Sequence, residues 1–174
     1  MKNLIPTIIL LALLAGCKKE KITELPAAST TGSNIFGAKV NGSFWVPQDF
    51  GIAPTAPLLE ARYGPSKSFI IIQARNFASQ PKESEFTLFV KNVHKTGTYT
   101  LDGRTGNYGH YLERKLNPLG SWKTNNQYPG KVEITKADTV NHIFSGTFAF
   151  EGASEDGDAP VKITEGRFDI KINL

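Results

Sequence analysis

Cysteine and methionine are almost missing from this chain: Cys17 is the only cysteine and Met1 the only methionine among 174 residues. A domain built from the residues after Cys17 therefore has no internal disulfide, no thiol nucleophile and no thiolate metal site. Its stability must come from its core. No apolar run reaches the ~20 residues that cross a bilayer as a helix. The run from Leu4 to Leu14 is broken by Pro6 and Thr7, and Phe69-Ile70-Ile71-Ile72 is far shorter. Charge of one sign is scarce too. Twenty Lys and Arg against sixteen Asp and Glu give a net charge of +4. There is no dense basic cluster interleaved with aromatics, so nucleic acid is not an expected partner.

What is present begins with Leu14-Ala15-Gly16-Cys17, preceded by the apolar run and by a basic Lys2. This is the layout of a secretory signal peptide. Small residues directly before a cysteine resemble the site at which bacterial lipoproteins are cut and acylated. The resemblance implies cleavage between Gly16 and Cys17 and acyl groups on Cys17. One acyl chain binds a membrane marginally, at ~0.8 kcal/mol per buried methylene, whereas two or more anchor firmly. The expected location is the cell envelope, at the outer membrane, facing the periplasm or the surface. Removing 16 of 174 residues leaves 158, enough for one domain with a real core.

The chain then divides into a lipid-anchored tether over 17–34 and a single domain over 35–174. The tether is rich in Lys, Glu, Thr, Ala, Ser and Gly. A free chain of that length reaches roughly 25 Å; the alternative is that part of the stretch packs on the domain. From Ile35 onward the apolar period is two rather than 3.6. Asn41-Gly42 between short apolar runs predicts a type I′ hairpin, because both central residues of that turn need positive φ. Residues 48–66 read as a long connection with at most a helical turn at Leu58–Arg62. Ser68–Asn76, apolar on both faces at Phe69–Ile72, suits a central strand. Strands are predicted over 85–92, 97–101 and 108–113, then a loop over 116–130. Phe144, Phe148 and Phe150 share a face of a later strand. Val161 and Ile163 face the core, and so do Phe168, Ile170 and Ile172, with opposite numbering parity. Phase cannot change within a regular strand, so a bulge is predicted near Glu165-Gly166-Arg167, with Gly166 supplying the unusual φ. Eight or nine strands without a helix predict an all-β fold, either an antiparallel sandwich or a partly open barrel.

Phe36-Gly-Ala-Lys-Val-Asn-Gly-Ser-Phe-Trp45 resembles the opening of many small Bacteroidota lipoproteins, and Val132-Glu-Ile-Thr-Lys-Ala-Asp138, Ile143-Phe-Ser-Gly-Thr-Phe-Ala-Phe150 and Val161-Lys-Ile-Thr-Glu-Gly-Arg-Phe-Asp169 resemble one of their families of unknown function. The resemblance implies an envelope lipoprotein but assigns no catalytic or binding residue. Residues 102–129 fall outside it.

Candidate chemistry is sparse. His94, His110 and His142 lack metal-ligand spacing, and no cofactor is implied. The acidic stretch Glu151–Asp158 lacks the ligand pattern of a calcium loop and reads as a hairpin tip. Asp138 with Asn141 reads as a turn. Arg167 and Asp169 fall on the outward face, where Arg167 is expected to pair with a carboxylate such as Asp138 or Asp169. No nucleophile elbow is present, and no enzyme is predicted. The strongest binding candidate is the 102–130 segment, where Tyr108, Tyr111, Trp122 and Tyr128 stand among amides including Asn125. Rings beside amides suit a sugar, since a ring covers C–H faces and amides bond hydroxyls. The competing reading is that these rings cap one end of the sandwich. The predicted function is thus a non-catalytic envelope module for a small ligand or glycan. The alternative is a structural or assembly component that binds another envelope protein.

Mass spectrometry on protein purified from its native host is expected to show an acylated Cys17 at the N-terminus; a free thiol, or an intact leader, would refute the anchor.

Overall fold

A computed structural model describes residues 22–49, 56–64, 69–78, 83–114, 120–154 and 156–172. The signal segment and both cleavage-site residues, Gly16 and Cys17, lie outside these. The described residues form eleven strands and no helix. In chain order they are β1 (Ile35–Val40), β2 (Ser43–Trp45), β3 (Leu59–Gly64), β4 (Phe69–Asn76), β5 (Glu83–Val90) and β6 (Gly97–Leu101). There follow β7 (Tyr108–Arg114), β8 (Gly120–Lys123), β9 (Gly130–Asp138), β10 (Ile143–Ser154) and β11 (Val161–Lys171).

All strand pairs are antiparallel. Nine strands follow one hydrogen-bonded path, β2-β1-β11-β10-β8-β7-β5-β4-β3, which curls into a half-barrel; β9 and β6 branch from β10. The branch arises because β10 is long enough to serve two layers. Its first part, through Phe150, pairs with β9, whereas Ala153 and Ser154 pair with β8. We call β2, β1, β11, β10, β9 and β6 the first layer, and β8, β7, β5, β4 and β3 the second.

Apolar residues two apart fill the space between the layers, as the period-two pattern requires. Phe36, Phe144, Phe148 and Phe168 from the first layer are buried, and so are Ile70, Ile72, Phe86 and Leu88 from the second. Phe86 is the hinge of this packing. Its ring centroid lies 5.5 Å from Phe36, 6.1 Å from Phe148 and 4.6 Å from Trp45. The Trp45 indole N–H is satisfied by Ser84 Oγ at 2.8 Å.

The Asn41-Gly42 turn forms as the sequence predicts, with φ of 48° and 84°. The bulge in β11 also forms. Phe148 faces Gly166 and Phe150 faces Ile163, so Ala149 opposes both Thr164 and Glu165. The positive φ, however, falls on Glu165 (53°) and not on Gly166. Gly166 is needed for space: a Cβ there would lie 2.6 Å from the Phe148 ring. Two further expectations are corrected. Leu58–Arg62 is no helical turn, because Leu59–Gly64 forms strand β3, with Leu59, Ala61 and Tyr63 packed on the core. The predicted loop over 116–130 contains β8, held by Trp122.

The largest departure concerns the segment read as a free tether. Its described part, residues 22–34, is a strap laid across the outer face of the first layer. Asp169, expected outside beside Arg167, is instead fully buried beneath it. Its carboxylate accepts N–H bonds from Thr31 (3.0 Å), Gly32 (2.9 and 3.0 Å) and Ser33 (2.9 Å). Ser145 Oγ adds an O–H bond at 2.7 Å from β10. Successive backbone N–H groups turned inward form a nest for an anion. Further along, Arg167 donates to the Pro26 carbonyl, and Lys136 to the Thr30 carbonyl at 3.0 Å. Pro26 lies where a Cβ on Gly37 would come within 2.8 Å.

Burial alone would raise the Asp169 pKa. The N–H groups of Ser33 and Gly32, with the Ser145 hydroxyl, outweigh it and hold the carboxyl at about 2. A folded-state pKa below the unfolded value of 3.8 means that the stabilisation is complete above pH 4 and is lost as pH falls toward 2. Its size is about 2 kcal/mol, from 1.36 kcal/mol per pKa unit. Asp169→Asn is expected to lose stability of that order at pH 7 and to flatten the acid limb between pH 4 and 2, measured by urea unfolding. A parallel limb in both proteins would show that the clasp does not operate.

Candidate functional site

The five predicted ligand residues do not share one surface. Tyr111 and Trp122 are core, 4 % and 8 % exposed, with ring centroids 5.9 Å apart. Tyr111 also packs 4.9 Å from Phe86, and the Trp122 indole donates to the Ala159 carbonyl at 3.0 Å. Burial first, and then the Glu113 charge, push the Tyr111 phenol pKa well above its usual range. Asn125 closes a turn. Its Oδ1 accepts the N–H groups of Gln127 and Tyr128, both at 2.9 Å, and its own N–H donates to the Tyr128 carbonyl. This places Tyr128 at that turn, whereas Tyr108 stands on the outer face of the second layer.

That outer face carries a row of aromatic side chains. Strands β4, β5 and β7 each send out one ring. Phe69 lies 5.6 Å from Phe89, and Phe89 lies 5.4 Å from Tyr108 in a near-parallel stack. A cation sits on each of two rings: Lys123 Nζ is 4.1 Å from the Tyr108 centroid and Lys91 Nζ is 5.9 Å from that of Phe89. Stacked rings across neighbouring strands follow from the ladder spacing and stiffen one another.

The next row of the same face is polar. Gln73 pairs with Thr87 and Thr87 with His110, which in turn faces Lys123. His110 Nε2 and Ser121 Oγ are 2.9 Å apart. Beyond them the charges neutralise each other. Arg75 reaches Glu85 at 3.2 Å and Glu60 at 3.5 Å, while Arg114 reaches Glu85 at 3.6 Å. The Arg62 hydrogen bond holds the Glu60 carboxyl below its usual pKa. The face thus grades from an aromatic, cationic half to an ion-paired half.

Elsewhere one sequence reading of a local turn holds and one is corrected. Asp138 accepts two hydrogen bonds from Asn141, both at 2.9 Å, and these lower its pKa. The Glu151–Asp158 stretch is not all hairpin tip, because its first four residues belong to β10 and pair with β11 and β8; beyond them the Asp156 N–H donates to Ser154 Oγ. Among the described residues, no three His, Cys, Asp or Glu side chains come together as a metal site would need. Phe69 and Phe89 escaped notice as site residues because their strands read as core. The usable signal was their parity: each is offset by one from the buried Ile70 and Leu88.

The family model of a domain of unknown function (DUF6252) matches residues 33–170, and the chain belongs to that family. No curated protein and no solved structure matches it.

Trp122→Ala is expected to destabilise the domain by about 3–5 kcal/mol, as for large buried rings. Tyr108→Ala should cost about 1 kcal/mol, the worth of one half-buried stack. Chemical denaturation of both variants checks the contrast, and equal losses would contradict the assignment of faces.

Proposed function

We propose that this member of the DUF6252 family is a non-catalytic binding module of the cell envelope, anchored by lipid on Cys17, which holds an anionic glycan on the outer face of its second layer. The observation that carries the reading is the Phe69–Phe89–Tyr108 stack with Lys91 and Lys123 seated on it. Rings that present apolar surface beside fixed ammonium groups suit a ligand with C–H patches and carboxylates. Gln73 in the adjoining row and Ser121 one row further on offer partners for hydroxyl groups. The stack is held by a sheet rather than a loop, so little ordering entropy is lost on binding. The anchor is supported by the segment ending in Gly16-Cys17.

The non-catalytic reading has a physical basis in the same face. His110 and Ser121 are close enough to share a proton. Yet amides in a sheet point along the ladder and not out of its face, so the described strands offer no backbone donors to a developing oxyanion above Ser121. Binding to another envelope protein through this face is the competing outcome.

The test is calorimetric titration with oligogalacturonate, with cello-oligosaccharide as the neutral control. Saturable binding of the acidic sugar is expected, at least tenfold weaker in Tyr108→Ala and less salt-dependent in Lys123→Ala. Uptake unchanged in Tyr108→Ala, or none by the wild type, would overturn the proposal.

A further inference from the structure

The path of nine strands ends on β2 and β3, and a groove of about 520 Å³ lies at the seam between these edges. Its wall is built by Val46 and Pro47 after β2, by Leu58 and Leu59 at β3, and by Ile22 and Leu25 of the strap. The lining is largely aliphatic and reaches Phe36 of the core. The volume falls within the range of small-molecule sites, and such sites favour barrel mouths. The other grooves, over the outer face of the first layer, differ in kind. One is rimmed by Lys131, Glu133, Glu165 and Arg167, and another, beside Phe150 and Ile163, is bordered by Lys131, Glu151 and Lys162.

We infer that the seam groove houses one of the acyl chains carried on Cys17. The inference rests on the anchoring reading above. Chain length and strap position argue for this occupant. The strap is pinned by the Asp169 clasp and by the fit of Pro26 over Gly37, so Ile22 is fixed in the groove wall. Five residue steps separate Cys17 from Ile22, a span of at most ~18 Å when fully extended. A chain attached at Cys17 therefore begins within reach of an aliphatic groove of matching chemistry. Docking one chain draws the seam toward the lipid surface and gives the domain a defined orientation there. A free tether of 17–34 would give none.

The experiment compares the acylated protein, which begins at Cys17, with a Cys17→Ser chain that also begins at residue 17, in the same mild detergent, using palmitate as the probe. N-terminal mass is measured first. Cys17→Ser is expected to take up one equivalent of palmitate, and the acylated protein to bind it at least tenfold more weakly, because its groove is filled. Leu58→Arg in the Cys17→Ser background should lose at least tenfold in palmitate affinity. Should that variant fail to fold, Ile22→Arg on the strap tests the same wall without touching the sheet. An acylated Cys17 with no palmitate uptake by Cys17→Ser overturns the docking and leaves the anchor standing. Equal uptake by both proteins shows a groove open to other lipids and also overturns it. An unacylated Cys17 overturns both readings.

Discussion

One buried carboxylate organises the first layer. Asp169 lies near the end of β11, next to its register partner Ser145 on β10. Taking an ionised carboxylate out of water costs several kcal/mol unless its lone pairs are filled. Here they are filled by three successive N–H groups and one hydroxyl. The strap therefore belongs to the fold as firmly as an added strand, though it makes no ladder. Gly32 and Asn34 support it with positive φ, and Asn34 Oδ1 also accepts the Lys171 N–H at 2.9 Å. The family match begins at residue 33, at the edge of this clasp.

The core depends on rings set against residues without side chains. Gly166 lies against Phe148, and Gly109 lies where a Cβ would be 2.7 Å from Phe150. Gly152 lets two strands approach as closely, since a Cβ there would lie 2.8 Å from the Trp122 Cβ. With no disulfide available, these fits let aromatic surface cross from one layer to the other at close range. Packing of that density is the main stabilising term left to a chain with a single cysteine.

How much of this was legible in the sequence follows from how each signal is generated. Alternation is a local property, so β4, β10, β11 and the Asn41-Gly42 hairpin could be read directly. The phase slip between Ile163 and Phe168 even located the bulge. Its positive φ was assigned to Gly166 because glycine is the usual bearer, yet space under Phe148 had already claimed that residue. Strand β8 was missed because Gly-Ser-Trp-Lys is too short to alternate visibly, and β3 because prolines flank it. The candidate site was less legible. Tyr111, Trp122 and Tyr108 are equally aromatic, and only register with β5 puts two inward and one outward. Asp169 was read as outward by parity, correctly for the sheet. What parity could not show is that the strap covers that face.

The shared strand β10 sets the order in which this molecule can be assembled. It supplies the partner for β9 and β11 in one layer and for β8 in the other, and it comes near the end of the chain. A nascent polypeptide emerging N-terminus first carries β1 to β9 with no strand to join its two halves. Closure waits for residues 143–172, and the N-terminal clasp waits for Asp169 within them. Long-range pairing of this kind folds slowly. The architecture thus keeps the polypeptide unlocked until both β10 and β11 have been made.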